Sequence, residues 1–185
     1  MEQKSVVLPA EWHPQFCVQL TWPHQQTDFA SRYDEVVGCF VTLAREISVR
    51  ETLIIVCADS QEVQSQLGGY MNRDITLYEI SSNDVWARDH GGISVFSNGE
   101  VHILDFQFNG WGRKFSATLD TCITKQLMQR NAFPYAKYVD CNDFVLEGGA
   151  IESNGNGILL TTTRCLLEKQ RKPHLSHTQI EARLR

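Results

Sequence analysis

The chain has no apolar run long enough to cross a membrane, no Cys-x-x-Cys pair and no excess of positive charge. Each absence removes a class of function. A spanning helix needs about 20 consecutive apolar residues, and the first residues, MEQKSVVLPAEW, hold no long apolar region behind a basic start. Neither secretion nor membrane insertion is therefore expected, and the cytoplasm is the expected location. The six cysteines, Cys17, Cys39, Cys57, Cys122, Cys141 and Cys165, follow no regular spacing. That pattern fits reduced thiols better than a disulfide framework or a structural zinc site. With 17 Lys and Arg against 22 Asp and Glu, the formal charge of −5 disfavours a nucleic-acid partner and suits a cationic ligand. His174-Leu175-Ser176-His177 has the outline of half a metal site, but it reads better as the lead-in to a last helix. No metal and no cofactor are expected.

What is present is the makeup of a soluble globular protein: 185 residues, 42% hydrophobic and 21% charged, enough for one domain over residues 1–185 with a real core. Its most informative stretch is NDVWARDHGG, Asn83 to Gly92. A guanidinium is planar and permanently charged, with its N–H donors in a fixed fork. Its complements are carboxylates for the donors and an aromatic face for the plane. Asp84, Asp89 and Trp86 are those residue types, and a stacked cation contributes roughly 0.5–2 kcal/mol. In an extended strand Asp84, Trp86 and Arg88 point one way and Asp89 the other, so Trp86 and Asp89 meet one ligand only where the strand breaks. Gly91-Gly92 follows at once, where such a break is tolerated. The competing reading is that Arg88 is itself the guanidinium, paired internally with Asp84 or Asp89. Composition alone tilts toward that reading, because charged loop clusters are common and ligand sites few.

The pattern along the chain is α/β. Cys17–Trp22 reads as a strand, Asp28–Ile47 as an amphipathic helix and Thr52–Cys57 as a buried strand. Asp59 caps a helix that Gly68-Gly69 ends, and a strand over Ile75–Ile80 leads into NDVWARD. Gly92–Phe96 and Val101–Phe106 form a hairpin across Asn98-Gly99. A helix over Ala117–Arg130 and a strand over Tyr135–Val139 follow, then a second hairpin, Phe144–Glu152 with Gly157–Thr162, across Asn154-Gly155-Asn156. Hairpin, helix, strand, hairpin hints at a repeated ββαβ unit. From Arg164 to Arg185 the local charge is +4, which reads as a solvated loop and helix. Ser176 and Gln179 form a capping box, but the apolar stripe that starts at Ile180 and Leu184 stops at Arg185, as if interrupted in mid-element.

Six segments together carry a family resemblance: LPAEW at Leu8–Trp12, TWP at Thr21–Pro23, NDVWARDHG, FNGWGRKF at Phe108–Phe115, LEGGAIESNGNGILLTT at Leu146–Thr162 and CLLEKQRKPHLS at Cys165–Ser176. In order and over essentially the whole chain, they resemble the agmatine deiminases, which are related to bacterial peptidylarginine deiminases within the guanidine-modifying, or pentein, superfamily. The resemblance implies a five-fold pseudosymmetric α/β propeller of ββαβ units, here incomplete. It also implies a hydrolase that converts the guanidinium of agmatine to a ureido group and releases ammonia through a covalent cysteine intermediate. By the same resemblance Asp89 is the carboxylate that grips the guanidinium, and Trp86 is the aromatic packed on the substrate. Glu147 is a second acid, and Trp111 a candidate pocket wall. Gly148-Gly149 would let backbone approach a ligand closely.

The matching nucleophilic cysteine and the catalytic histidine with its acid are expected beyond Arg185, so this chain is expected to be an inactive N-terminal part that holds the gripping half of the site. None of the six cysteines stands in a matching context, and His90 reads as loop structure. Two alternatives remain, a peptidyl- or free-arginine deiminase and a non-catalytic guanidine-binding module. An arginine substrate would need an anchor for its carboxylate, for which Arg113 is the nearby candidate. The resemblance leaves room for a homodimer.

Overall fold

The unbroken apolar run Thr52–Cys57 forms a strand in which Leu53, Ile54, Ile55, Val56 and Cys57 are all buried. A strand apolar on both faces needs cover on both, which places it inside a parallel sheet rather than at an edge. The computed structural model describes residues 6–72, 74–172 and 174–184, without the side chain of Asn72. In chain order its elements are β1 (Val6–Val7), β2 (Cys17–Thr21), α1 (Tyr33–Ser48), β3 (Thr52–Cys57), α2 (Ser60–Leu67), β4 (Ile75–Glu79), α3 (Ala87–His90), β5 (Ile93–Ser97), β6 (Glu100–Gln107), α4 (Gly110–Arg113), α5 (Ile123–Gln129), β7 (Ala136–Val145), β8 (Ile151–Ser153), β9 (Leu159–Thr161), α6 (Thr163–Leu166) and α7 (His177–Arg183). The protein is α/β. Its chain divides into two compact units, one of residues 14–87 and 118–132, the other of residues 1–13, 88–117 and 133–185, so the division falls inside α3.

In the first unit β3 lies between β2 and β4 in a parallel sheet, with Gln19 opposite Ile54 and Ile54 opposite Thr76. Parallel neighbours need crossover connections, and the chain supplies α1 and α2. Asp59 caps α2 by accepting the N–H groups of Gln61 and Glu62 at 2.8 and 3.0 Å, and Gly68 ends it at φ +53°. Trp22, Ala44, Leu53, Ile55, Val63 and Leu67 fill the core. The helix expected from Asp28 begins only at Tyr33. Before it the N–H groups of Thr27, Ala30 and Arg32 each bond three residues back, to His24, Thr27 and Phe29, which makes successive tight turns instead of an α-helix. The helix expected over 117–130 is likewise cut to Ile123–Gln129 after a 3₁₀ turn at Asp120–Cys122. Here the Asn83 side chain takes the N–H of Leu119 at 2.8 Å, and the Asp120 carboxylate takes the N–H of Asn83 at 2.6 Å. This reciprocal clasp holds the backbone before α5, where the chain makes a 3₁₀ turn instead of an α-helix.

In the second unit the sheet order is β1-β5-β6-β7. β5 and β6 form the expected hairpin, turned by Asn98 at φ +53° and Gly99 at φ +80°, the two left-handed residues that a tight hairpin of this hand requires. β7 runs parallel to β6 and continues to Val145, past the Val139 expected, with a register shift between Phe106 and Gln107. The strand expected over Phe144–Glu152 is therefore split. Its first residues end β7, Glu147–Ala150 turns with the Ala150 N–H on the Glu147 carbonyl, and β8 starts only at Ile151. β8 pairs with β9 across the turn at Asn154, whose side chain accepts the N–H groups of Asn156 and Ile158. The capping box of α7 is formed in both directions, and α7 buries Ile180 with Phe144, Leu146, Ile151 and Leu166. The basic stretch is not simply solvated: Lys172 is buried, with its Nζ 4.8 Å from the centre of the Phe144 ring. Among the described residues no helix is long and apolar enough to cross a membrane.

Candidate active site around Asp89 and Glu147

Asp89 sits on the single helical turn α3, so the alternation of an extended strand does not apply to it. Its carboxyl is pushed up from the ordinary carboxylate range, first by burial and then by the negative charge of Glu147. The Gly149 N–H, the positive charge of Arg88 and the Trp111 indole N–H act the other way. The Glu-Gly-Gly bend is what makes this cluster. A Cβ added at Gly149 would run into the Asp89 carboxylate, and one added at Gly148 would lie 2.5 Å from the Arg88 carbonyl oxygen. The close approach that these glycines permit is to Arg88 and Asp89.

Glu147 is 1% exposed. It accepts a hydrogen bond from the Nε of Arg171 at 2.7 Å, and the two side chains form a buried ion pair. Arg171 also donates from Nη1 to the Cys165 carbonyl at 3.2 Å. Arg88, by contrast, is half-exposed and pairs with Glu11 at 2.9 Å and with Glu152 at 3.5 Å. The internal pair that composition suggested for Arg88 with Asp84 or Asp89 is therefore replaced by outward pairing. The internal guanidinium of the site is Arg171, which the sequence reading placed on a solvated face.

Trp111 stands in an unusual backbone. Gly110, Trp111, Gly112 and Arg113 all have positive φ, from +56° to +84°, so α4 is a left-handed turn. Non-glycine residues there cost about 1–2 kcal/mol each, and such strain concentrates at functional sites. Asn109 stabilises the turn by accepting the Gly112 N–H on its side chain at 2.9 Å and the Arg113 N–H on its carbonyl at 2.8 Å. The Trp111 ring meets Phe108 and Phe115 edge to face, with centroids 5.0 and 5.7 Å away. Arg113 is exposed.

His90 is buried beside Phe108, and burial pushes its imidazole down to about 4, so it is neutral near pH 7. Asp84 and Trp86 belong to the first unit. Asp84 is buried and accepts the Val85 N–H at 2.8 Å. Burial pushes its carboxyl up, as does the charge of Asp28, while the Trp86 indole N–H and the Asp28 N–H oppose this. The Trp86 ring is 43% exposed, 6.0 Å from that of Phe29. The structure therefore gathers Asp89, Glu147 and Trp111 in one unit and pairs Asp84 with Trp86 in the other. Sequence reasoning missed Arg171 and Asp120. Arg171 lies 24 residues from Glu147, and no local pattern marks such a pair. Among the described residues no group of three or more His, Cys, Asp or Glu side chains is placed to hold a metal ion.

Comparison with known proteins gives this cluster its family. The agmatine deiminase of Pseudomonas aeruginosa is 33% identical over 184 residues, which cover 96% of this chain and 49% of that protein. That of Pseudomonas putida is 35% identical over 186 residues, with the same coverage. Among solved structures, the C. jejuni agmatine deiminase with substrate bound superposes with a TM-score of 0.89 at 30% identity, covering 100% of this chain and 54% of that one. The Enterococcus faecalis agmatine deiminase gives 0.80 at 31% identity, over 97% of this chain and 49% of that one. The chain spans about half the length of the curated relatives it matches. The family description that fits residues 7–185 is that of the Porphyromonas-type peptidyl-arginine deiminases, and the chain belongs to that family.

Proposed function

We propose that this chain carries the guanidinium-gripping part of an enzyme that hydrolyses agmatine to N-carbamoylputrescine and ammonia. The observation that carries the reading is the Asp89 carboxylate, oriented by the Gly149 and Trp111 N–H groups and set beside a second acid, Glu147. Asp89 receives the N–H fork of the substrate, and Trp111 walls the pocket. Asp84 and Trp86 form an acid–aromatic pair within the first unit, and their residue types and the family resemblance suggest cation binding for that pair. In the reaction class a cysteine thiolate adds to the guanidinium carbon and the C–N bond breaks as ammonia leaves. Water then displaces the thiolate and leaves the ureido product. The architecture that goes with this reading is a pentein-type propeller of ββαβ units, of which residues 1–185 form a part.

The chain by itself is proposed to bind without turnover. Burial pushes the Cys17 and Cys57 thiols up to about 11 and also raises Cys141, the opposite of what a nucleophile needs. A second reading, hydrolysis of peptidyl or free arginine, is favoured by the family description and by exposed Arg113, two residues after Trp111 on the same turn, as a carboxylate anchor. A guanidine-binding module without chemistry is the third. Calorimetry of the chain with agmatine, free arginine and an arginine peptide, with ammonia assayed alongside, separates them. Agmatine binding in the micromolar to millimolar range without ammonia supports the proposal for this chain. Preference for arginine, lost in Arg113→Ala, supports the second reading. Ammonia release by the chain alone would overturn the division of labour, and no binding of any guanidine would overturn the grip. The same assay on the product of the whole reading frame decides between enzyme and module.

A further inference from the structure

Arg171 lies in a basic stretch, yet its side chain is only 9% exposed and it meets a carboxylate that is 2% exposed. Burying both members of an ion pair is expensive, and replacing such a pair with apolar groups is often neutral or stabilising. Stability alone is a weak reason for it. The arrangement around the pair points instead to orientation. One planar guanidinium serves two acceptors at once, Nε on Glu147 and Nη1 on the Cys165 carbonyl, which a lysine ammonium cannot reproduce with the same rigidity. The segment that carries Arg171 is also tied to the turn that carries Trp111. Asn109 donates from Nδ2 to the Gln170 carbonyl at 3.0 Å, and the Gln170 N–H donates to the Glu168 carboxylate at 2.7 Å. A Cβ on Gly112 would run into Glu168 Oε2 at 2.7 Å, so that segment and the left-handed turn are in close packing.

We propose that Arg171 is a positioning residue, and that residues 168–171 act as a strap that fixes Glu147 on one side and the Trp111 turn on the other relative to Asp89. This rests on the reading of Asp89 as the guanidinium grip and deepens it. Glu147 already carries an internal guanidinium, which leaves Asp89 as the carboxylate for that of the ligand. Arg171 itself touches no ligand.

The test uses the whole 185-residue chain with agmatine as the probe, reading the Arg171 side-chain Nε–H resonance by NMR and agmatine affinity by calorimetry. Expected are an exchange-protected Nε–H signal that Glu147→Gln abolishes, and a shift of that signal when agmatine is added. Arg171→Lys should weaken agmatine binding by at least about tenfold while its melting temperature stays near that of the wild type. Arg171→Gln combined with Glu147→Gln should be no weaker than the worse single variant, because the two act as one unit. If Arg171→Gln does not fold, Arg171→Lys and the resonance carry the decision. Normal affinity of Arg171→Lys, an Nε–H signal that agmatine leaves unmoved, or additive losses would overturn the positioning role while Asp89-dependent binding stands. Absence of any agmatine response anywhere in the chain would overturn the grip and this inference together.

Discussion

At the scale of single residues, the grip proposed for Asp89 would trade stability for binding. Burial and the charge of Glu147 disfavour its ionised form, and guanidinium capture requires that form. Asp89→Asn is therefore expected to abolish agmatine binding while the melting temperature at pH 7 stays equal or rises. Calorimetric titration and thermal unfolding of one preparation check both halves, and a protein that melts lower yet still binds would contradict the assignment. His90 gives a prediction with a pH window. Its folded-state value is depressed to about 4 from an ordinary 6.5. Below pH 6.5 the unfolded chain takes up a proton that the native chain refuses until about pH 4. Stability from the neutral imidazole is thus complete above pH 6.5 and is lost as pH falls toward 4, by up to about 3 kcal/mol. Urea unfolding at pH 7.5 and pH 5 should show this loss, and His90→Phe should show less of it.

At the scale of elements, local patterns predicted the types well and the lengths less well. Where a signal is self-contained, as with Asp59 and Gly68 bracketing α2 or Asn98-Gly99 turning the β5–β6 hairpin, the structure follows it. Where a partner far along the chain intervenes, it does not. Asn83 captures the backbone at Leu119 and shortens α5, and the Glu-Gly-Gly bend interrupts a strand because it must reach Arg88 and Asp89. The α7 cap belongs to the first kind. Ser176 Oγ accepts the Gln179 N–H at 3.3 Å, and the Gln179 side chain accepts the Ser176 N–H at 2.8 Å. Ser176→Ala is expected to cost about 1 kcal/mol, read as a lower urea midpoint. Ile180→Ala, which empties a position 1% exposed in the core, should cost about 2–5 kcal/mol.

At the scale of the whole molecule, the chain has two compact units, each with its own core, and spans about half the length of its curated relatives. A ligand that binds only the native state stabilises it by mass action. The melting temperature should therefore climb with agmatine concentration and stay flat with a diamine of similar length that lacks the guanidinium. Equal shifts from both compounds would mean that the chain recognises positive charge and not the planar fork. The sequence by itself determined the α/β class, because apolar runs and helical periodicity are local. It also determined the acidic and aromatic residue types in NDVWARD on which the proposed cation grip rests, and the ordered motifs that carry the family. Only the tertiary structure decided which charges pair. Arg88 turns outward to Glu11 and Glu152, while Arg171 turns inward to Glu147. Charge pairing depends on which side chains folding brings within about 3 Å, and on how much water it removes from between them, neither of which is written in the spacing of residues along a chain.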